Sequence, residues 1–333
     1  MYGLWAAAIV RGDLREALIL ADQLLEIARN ASSASARVTA HFVQGLTHHW
    51  LGNLTEAHSQ FGKAIEQYRE EDFSGFAEDY GVAAQTFRGL NQWLLGFPDQ
   101  ARRSVENARA HALSLSKPFA VAYVGVFRAW TRGLTGDFEG ARAAAEEAEK
   151  VATEVGFPSF TAGGKIAGGW ARAHLGEVGG SLDAIREGLA QFDVIKFYIQ
   201  RGFSLSLLSE VQALSGAVDD AIVTVEEAFA HNPDESWSRP LTLALRGELR
   251  LRKDPKNIAP AQQDFRVAIE LSRKMSAKSP ELRATTALAR LLRDTGRRHE
   301  ARTMLAEIYN WFTEGFDTAD LKDAKALLDN LSV

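Results

Sequence analysis

Along almost the whole chain, apolar residues recur at spacings of three and four. Ala57, Phe61, Ala64, Ile65 and Tyr68 form one such run, and Ala221, Val225, Ala228 and Phe229 another. That is the period of an amphipathic helix, and no stretch reads as a strand. Between the runs a second pattern repeats: a glycine, an apolar residue two positions on, and an alanine five positions on. It occurs at Gly12–Ala17, Gly52–Ala57, Gly136–Ala141 and Gly216–Ala221, and with Arg298 in the apolar slot at Gly296–Ala301. Looser versions run from Gly96 to Ala101 and from Gly176 to Ser181, and the same step lands on Ala261, where Lys256 replaces the glycine. The step is about 40 residues, with one insertion of about four between the second and third units, and such a period marks a solenoid of stacked modules.

Each part of the pattern has a physical task. The glycine ends the first helix of a unit, because a left-handed residue there is easiest without a Cβ. The Asp, Asn or Glu beside it suits the start of the next helix, as a cap or through the dipole. The alanine marks a close helix crossing, where a larger side chain would overpack at a cost of about 1–3 kcal/mol. Pro118 and Pro158 stand just after the second helix of successive units, and Pro233 and Pro280 mark similar breaks. The predicted fold is therefore all-α: a right-handed α-solenoid of about eight helix pairs with a C-terminal capping helix. The units fall near 1–34, 35–72, 73–116, 117–156, 157–196, 197–236, 237–278 and 279–315, and Asp317 or Thr318 can cap a last helix over 317–331. The first helix of unit one is short, Met1 to Arg11, and has no polar cap. We therefore expect a fragment, or an end covered by another domain.

The pattern, with a small residue (Gly45, Gly89, Ala129, Gly169) seven positions before the turn glycine and proline at the unit end, resembles the tetratricopeptide repeat. The longer step resembles the repeats of maltose-regulator-type bacterial transcription activators. The segments Ala277–Leu291 and Tyr309–Leu328 are similar to the C-terminal regions of large bacterial signalling proteins. In these, a class III nucleotidyl cyclase or DNA-binding domain is followed by a signal-transduction ATPase and then by such repeats. The resemblance implies a non-catalytic protein-interaction or regulatory module, with a peptide, a partner domain or the upstream ATPase or cyclase as partner. A small-ligand sensor is the alternative it implies.

Composition narrows the function further. The 333 residues carry a formal net charge of −5, which argues against a broad nucleic-acid footprint. No run approaches ~20 uninterrupted apolar residues, so no membrane span is expected. The absence of cysteine excludes disulfides and thiolate metal sites and suits a cytoplasmic setting. Charge is uneven: Arg246 to Arg302 is basic by roughly +8, a hydrated set of helix faces or a docking surface for an acidic partner. Phosphate-loop, nucleophile-elbow and His-Glu-x-x-His motifs are missing, and Gly163-Gly-Lys165 has the wrong spacing. We expect no enzyme, cofactor or metal. His41 and His48 are read as packing residues, as are the tryptophans of the first helices.

The remaining candidate is a polar stripe. His48, Gln44 and His41, then Gln92, Arg88 and Gln85, then Arg132 and Arg128, then Arg172 and Lys165, and finally Gln212 share one face of successive first helices. Units seven and eight do not keep it. If first helices line the concave surface, Arg88, Gln92, Arg128, Arg132, Arg172 and Gln212 form a ladder suited to an acidic peptide or anion. The connection from Tyr68 to Tyr80, with two phenylalanines and five acids, is read either as functional or as a cover over the neighbouring groove.

Overall fold

The computed structural model describes residues 1–31 and 33–332. Its regular structure is helical, and no strand occurs among the described residues. Successive helices pair as the periodicity predicted: α1 (Tyr2–Arg11) with α2 (Leu14–Arg29), α3 (Ala34–Trp50) with α4 (Leu54–Gln67), and α5 (Tyr80–Leu95) with α6 (Pro98–Ser114). There follow α7 (Pro118–Leu134) with α8 (Phe138–Val155), α9 (Pro158–His174) with α10 (Val178–Val194), and α11 (Arg201–Leu214) with α12 (Val218–Ala230). The last pairs are α13 (Arg239–Lys253) with α14 (Ile258–Lys274) and α15 (Lys278–Asp294) with α16 (Arg298–Tyr309), before the closing helix α17 (Ala319–Leu331). The chain is an all-α solenoid of tetratricopeptide-like pairs.

Local chemistry explains the joints. Asp13 and Asp137, beside their turn glycines, accept the backbone N–H of Glu16 and Gly140, satisfying donors that a helix start leaves open. Ala17, Ala57, Ala101 and Ala141 are fully buried. Opposite them, a Cβ on Gly45 would lie 2.6 Å from the Phe61 ring, and one on Gly247 2.5 Å from Phe265. Helix pairs thus close on a missing side chain. Gly247 marks this place in unit seven, so the turn after α13 is longer by two residues than its counterpart after Gly45. The final helix departs from expectation. Thr318 stands at its N-cap, but its hydroxyl donates to the Gly315 carbonyl, and Asp317 accepts from Arg102 instead.

The stack also winds back onto itself. About five units complete one superhelical turn, so each first helix from unit six onward begins against the end of an earlier one. Val10 O accepts from Tyr198 N (2.8 Å), Trp50 O from Ser236 N (2.9 Å), Trp93 O from Ser279 Oγ (2.6 Å) and Leu134 O from Arg283 Nη2 (2.5 Å). These carbonyls lie in the last turns of α1, α3, α5 and α7, where a helix leaves acceptors without internal partners. Apolar packing follows the same seam. Trp237 is fully buried against Trp50, Trp130 and Phe203, and Trp311 packs on Phe97. Glu314 accepts the N–H groups of Asp99 and Gln100, capping α6 from the far end of the chain. The groove is therefore not open along its length: the second turn sits on the edge of the first.

Candidate functional site

Two partly open spaces stand out along the wound stack. The first, about 230 Å³, lies among α1, the second half of α3 and the first turns of α5, α7 and α9, bordered on one side by Phe197, Ile199 and Gln200 from the second turn. Its wall is aromatic, including Phe42, Tyr80, Phe119, Tyr123 and Phe160. Polarity is confined to a few groups. Glu78 accepts the hydroxyls of Tyr2 (2.6 Å) and Tyr80 (2.5 Å), and burial together with that carboxylate drives both phenols well above their ordinary pKa, so they stay donors. Tyr123 also lines the space, and its buried hydroxyl has no partner among the described residues.

The acidic connection contributes to this wall. Its phenylalanine Phe73 is fully buried, Lys117 Nζ donates to the Phe73 carbonyl and to Asp79, and Glu78 reaches α1 through Tyr2. The segment is thus a cover over the groove.

The second space, about 290 Å³, lies at the seam below α7 and α9. Its charges are mostly paired. Glu210 accepts from Trp170 Nε1 (2.9 Å) and His174 Nε2 (3.0 Å); burial opposes ionisation there, but these partners prevail and hold its pKa low. Asp320 holds Arg283 and Asp323 holds Arg290. Glu248 has no hydrogen bond or ion pair among the described residues. Its side chain is exposed within the cavity, and desolvation by the surrounding protein, with Glu210 nearby, raises its pKa.

The structure places the predicted stripe between second helices rather than in either space. Arg128 and Arg132 both donate to Glu106 Oε1 of α6, at 2.8 and 2.6 Å, and Arg132 also reaches Asp137. Burial works against the Glu106 carboxylate, yet the two guanidinium groups outweigh it and lower its pKa. Gln92 accepts from Ser104 Oγ (2.7 Å) and Gln212 is buried with its Oε1 unpartnered. Arg172 is half-buried on the same face of α9. Unit seven does carry the stripe: Arg246 and Arg250 bridge Glu226 of α12 and Asp264 of α14. Its longer turn hides the match from counting back to the glycine position.

One rule connects these pairs. Asp22, Glu106 and Glu226 occupy the same place in their second helices, five residues past Ala17, Ala101 and Ala221. Each accepts from the stripe of the next first helix, Asp22 from Gln44 at 2.7 Å. The ladder is thus a lock between adjacent units. The basic excess of Arg246 to Arg302 is likewise drawn down by acids outside it, Glu226, Asp320 and Asp323. His41 bonds Gln60 (2.7 Å) and His48 bonds Asn53, and no cluster suited to a metal occurs among the described residues. The aromatic cavity escaped the sequence reading. Its signal was present in the aromatics crowding the first helices, from Tyr2 to Phe160.

No family model matches the chain, and no curated protein matches it. Solved structures do. A Rap protein complexed with competence and sporulation factor is similar over 99% of this chain and 96% of its own, at 9% identity and a TM-score of 0.64. A chain of the APC/C hetero-tetramer Cut9–Hcn1 is similar over 97% of this chain and 53% of its own, at 15% identity and a TM-score of 0.57. At these identities the likeness is one of fold; the Rap chain is of nearly the same length, and this chain spans about half of the Cut9–Hcn1 chain.

Proposed function

We propose that this chain is a non-catalytic interaction module of a bacterial signalling protein, which holds a peptide or partner segment on its inner face by an apolar anchor in the aromatic cavity. The cavity is the observation that carries the reading: a space walled by rings from five first helices, with an unpartnered tyrosine hydroxyl, that of Tyr123, in its wall. Aromatic walls with few polar groups suit an inserted side chain and its backbone. The Rap protein of the same fold, seen with its own factor, is compatible with this use. In the signalling reading, the natural partner is a segment of the ATPase or cyclase that the C-terminal resemblance implies.

A small-ligand sensor is the second reading, favoured by one feature. The border formed by Phe197 to Gln200 leaves a space of about 230 Å³, the size of a small molecule or a single side chain. One calorimetric titration separates the two. An unstructured peptide with a central tryptophan is compared with free indole. The peptide reading expects tighter binding of the peptide by about tenfold or more, lost in Ala6→Phe, which fills the cavity from α1. Indole binding with the peptide excluded supports the sensor. Equal binding of either probe by wild type and Ala6→Phe removes the cavity as the site.

A further inference from the structure

At one joint the lock keeps its arginine in the next first helix but lacks its acid. Asp22, Glu106, Glu146 and Glu226 stand at the lock position of their second helices, but Gly62 stands there in α4. The next first helix still carries its arginine. Arg88 is the counterpart of Arg128 and Arg246, one residue before the small residue that faces the helix crossing. Those two arginines also bond acids of their own unit, Glu147 and Asp264. In α6 the corresponding residues are Asn107 and Ser104, neither of them charged.

Arg88 consequently has no ion pair or hydrogen bond among the described residues, and its Nε is buried without a partner. Two neighbouring groups share that condition. Gln85 Oε1 lies on the same face of α5 one turn earlier, and His58 Nδ1 lies on α4 one turn before Gly62; both are buried and unpartnered. Burial, and then the charge of Arg88 across the interface, lowers the pKa of His58. A Cβ built on Gly62 would meet nothing within 4 Å, so the place of the absent carboxylate is open. A half-buried guanidinium with no counter-charge is costly to leave, and unsatisfied polar atoms in a native protein call for a missing partner.

We propose that the notch at Gly62 is a binding site for a carboxylate, which enters between α4 and α5 and takes the place that Glu106 fills in the next unit. Arg88 supplies the planar pair of donors, the Gln85 amide turns its nitrogen inward, and neutral His58, as its Nδ1–H tautomer, completes the cradle. The carboxylate comes from a free organic acid or from an acidic side chain of a partner peptide. None of these residues lines the aromatic cavity, so the site stands or falls independently of the reading above.

The test supplies the acid from within. Gly62→Glu restores the lock, while Gly62→Ala gives the helix the same relief from glycine without the charge. Melting temperature is measured in succinate, in hexaglutamate and in chloride of matched ionic strength. Wild type and Gly62→Ala should gain about 2 °C or more with succinate, hexaglutamate or both, relative to chloride. Gly62→Glu and Arg88→Gln should show no such gain, and Gly62→Glu should melt above Gly62→Ala in chloride. A gain with both probes identifies a site for the carboxylate alone, and a gain with hexaglutamate only identifies one presented on a peptide. No gain in wild type, or an equal gain in all four proteins, overturns the proposal.

Discussion

The turns after α5 and α11 are built on the same consensus, yet they do different things. Gly96 and Gly216 both have a positive φ, near 90°. Around Gly216 there is nothing for a Cβ to meet, whereas one on Gly96 would lie 2.5 Å from the Trp311 ring and 2.6 Å from Lys278 Cβ. The same division runs through the molecule. Gly12, Gly52, Gly96 and Gly136 lie under the second turn of the superhelix, while Gly176, Gly216 and Gly296 face open space. A residue required everywhere by the local turn has become, in the first half, also a seat for distant chain. Repeat proteins are usually treated as sums of neighbouring contacts. Here the first four turns add contacts about five units away, so the two halves should differ in cooperativity as well as in strength.

Alanine at the two glycines separates those roles. Gly216→Ala adds only a Cβ in the left-handed region, a cost of about 1 kcal/mol. Gly96→Ala adds the same strain and a collision with Trp311, for a total of about 3 kcal/mol or more. Urea unfolding measures both. If the two variants lose equal stability, the seam carries no weight and the comparison fails.

Much of this architecture was legible in the sequence, and the exceptions have physical causes. Helix pairs, turn glycines and buried alanines repeat, and anything that repeats within a unit can be read from one chain. Helical spacing sets the stripe residues on one face, but it does not report how a helix is rotated against its neighbours. That rotation turned Arg128 and Arg132 toward Glu106 rather than the groove. The two extra residues before Ile258 similarly concealed Arg246 and Arg250. The seam and the aromatic cavity were less accessible, because winding accumulates from small rotations at every joint. Trp311 and Glu314 lie in the segment whose resemblance stood out, yet only the wound structure shows them seated on Gly96 and on the start of α6.

Raising the pH offers a reversible way to loosen the seated half. Glu235 stands in the loop that meets Trp50, accepting from Trp237 Nε1 and the Gln200 N–H; burial nevertheless raises its carboxyl to about 7 from 4.5. A carboxyl with a raised folded value binds its proton more tightly when folded. Its contribution is complete below about pH 4.5 and is lost as pH rises through 7. Glu235→Gln keeps the acceptor and removes the titration. From about pH 5 to about pH 8, stability should shift in favour of the variant by on the order of 2 kcal/mol. A difference between the two proteins that does not change with pH would remove Glu235 as the cause.

The mildest cut is Ser279→Ala. It deletes one donor to the Trp93 carbonyl, which also accepts the Gly96 N–H at 3.0 Å and so is not left bare. The loss should be about 1 kcal/mol, the net worth of a hydrogen bond whose acceptor keeps a second partner. Its location is more informative than its size. If the second turn is held by these seats, amide exchange should quicken in α15 and α17 and stay unchanged in α9 and α10, which no seat supports. Quickening spread evenly along the stack would mean that Ser279 serves its own unit, and that the two halves differ less than their glycines suggest.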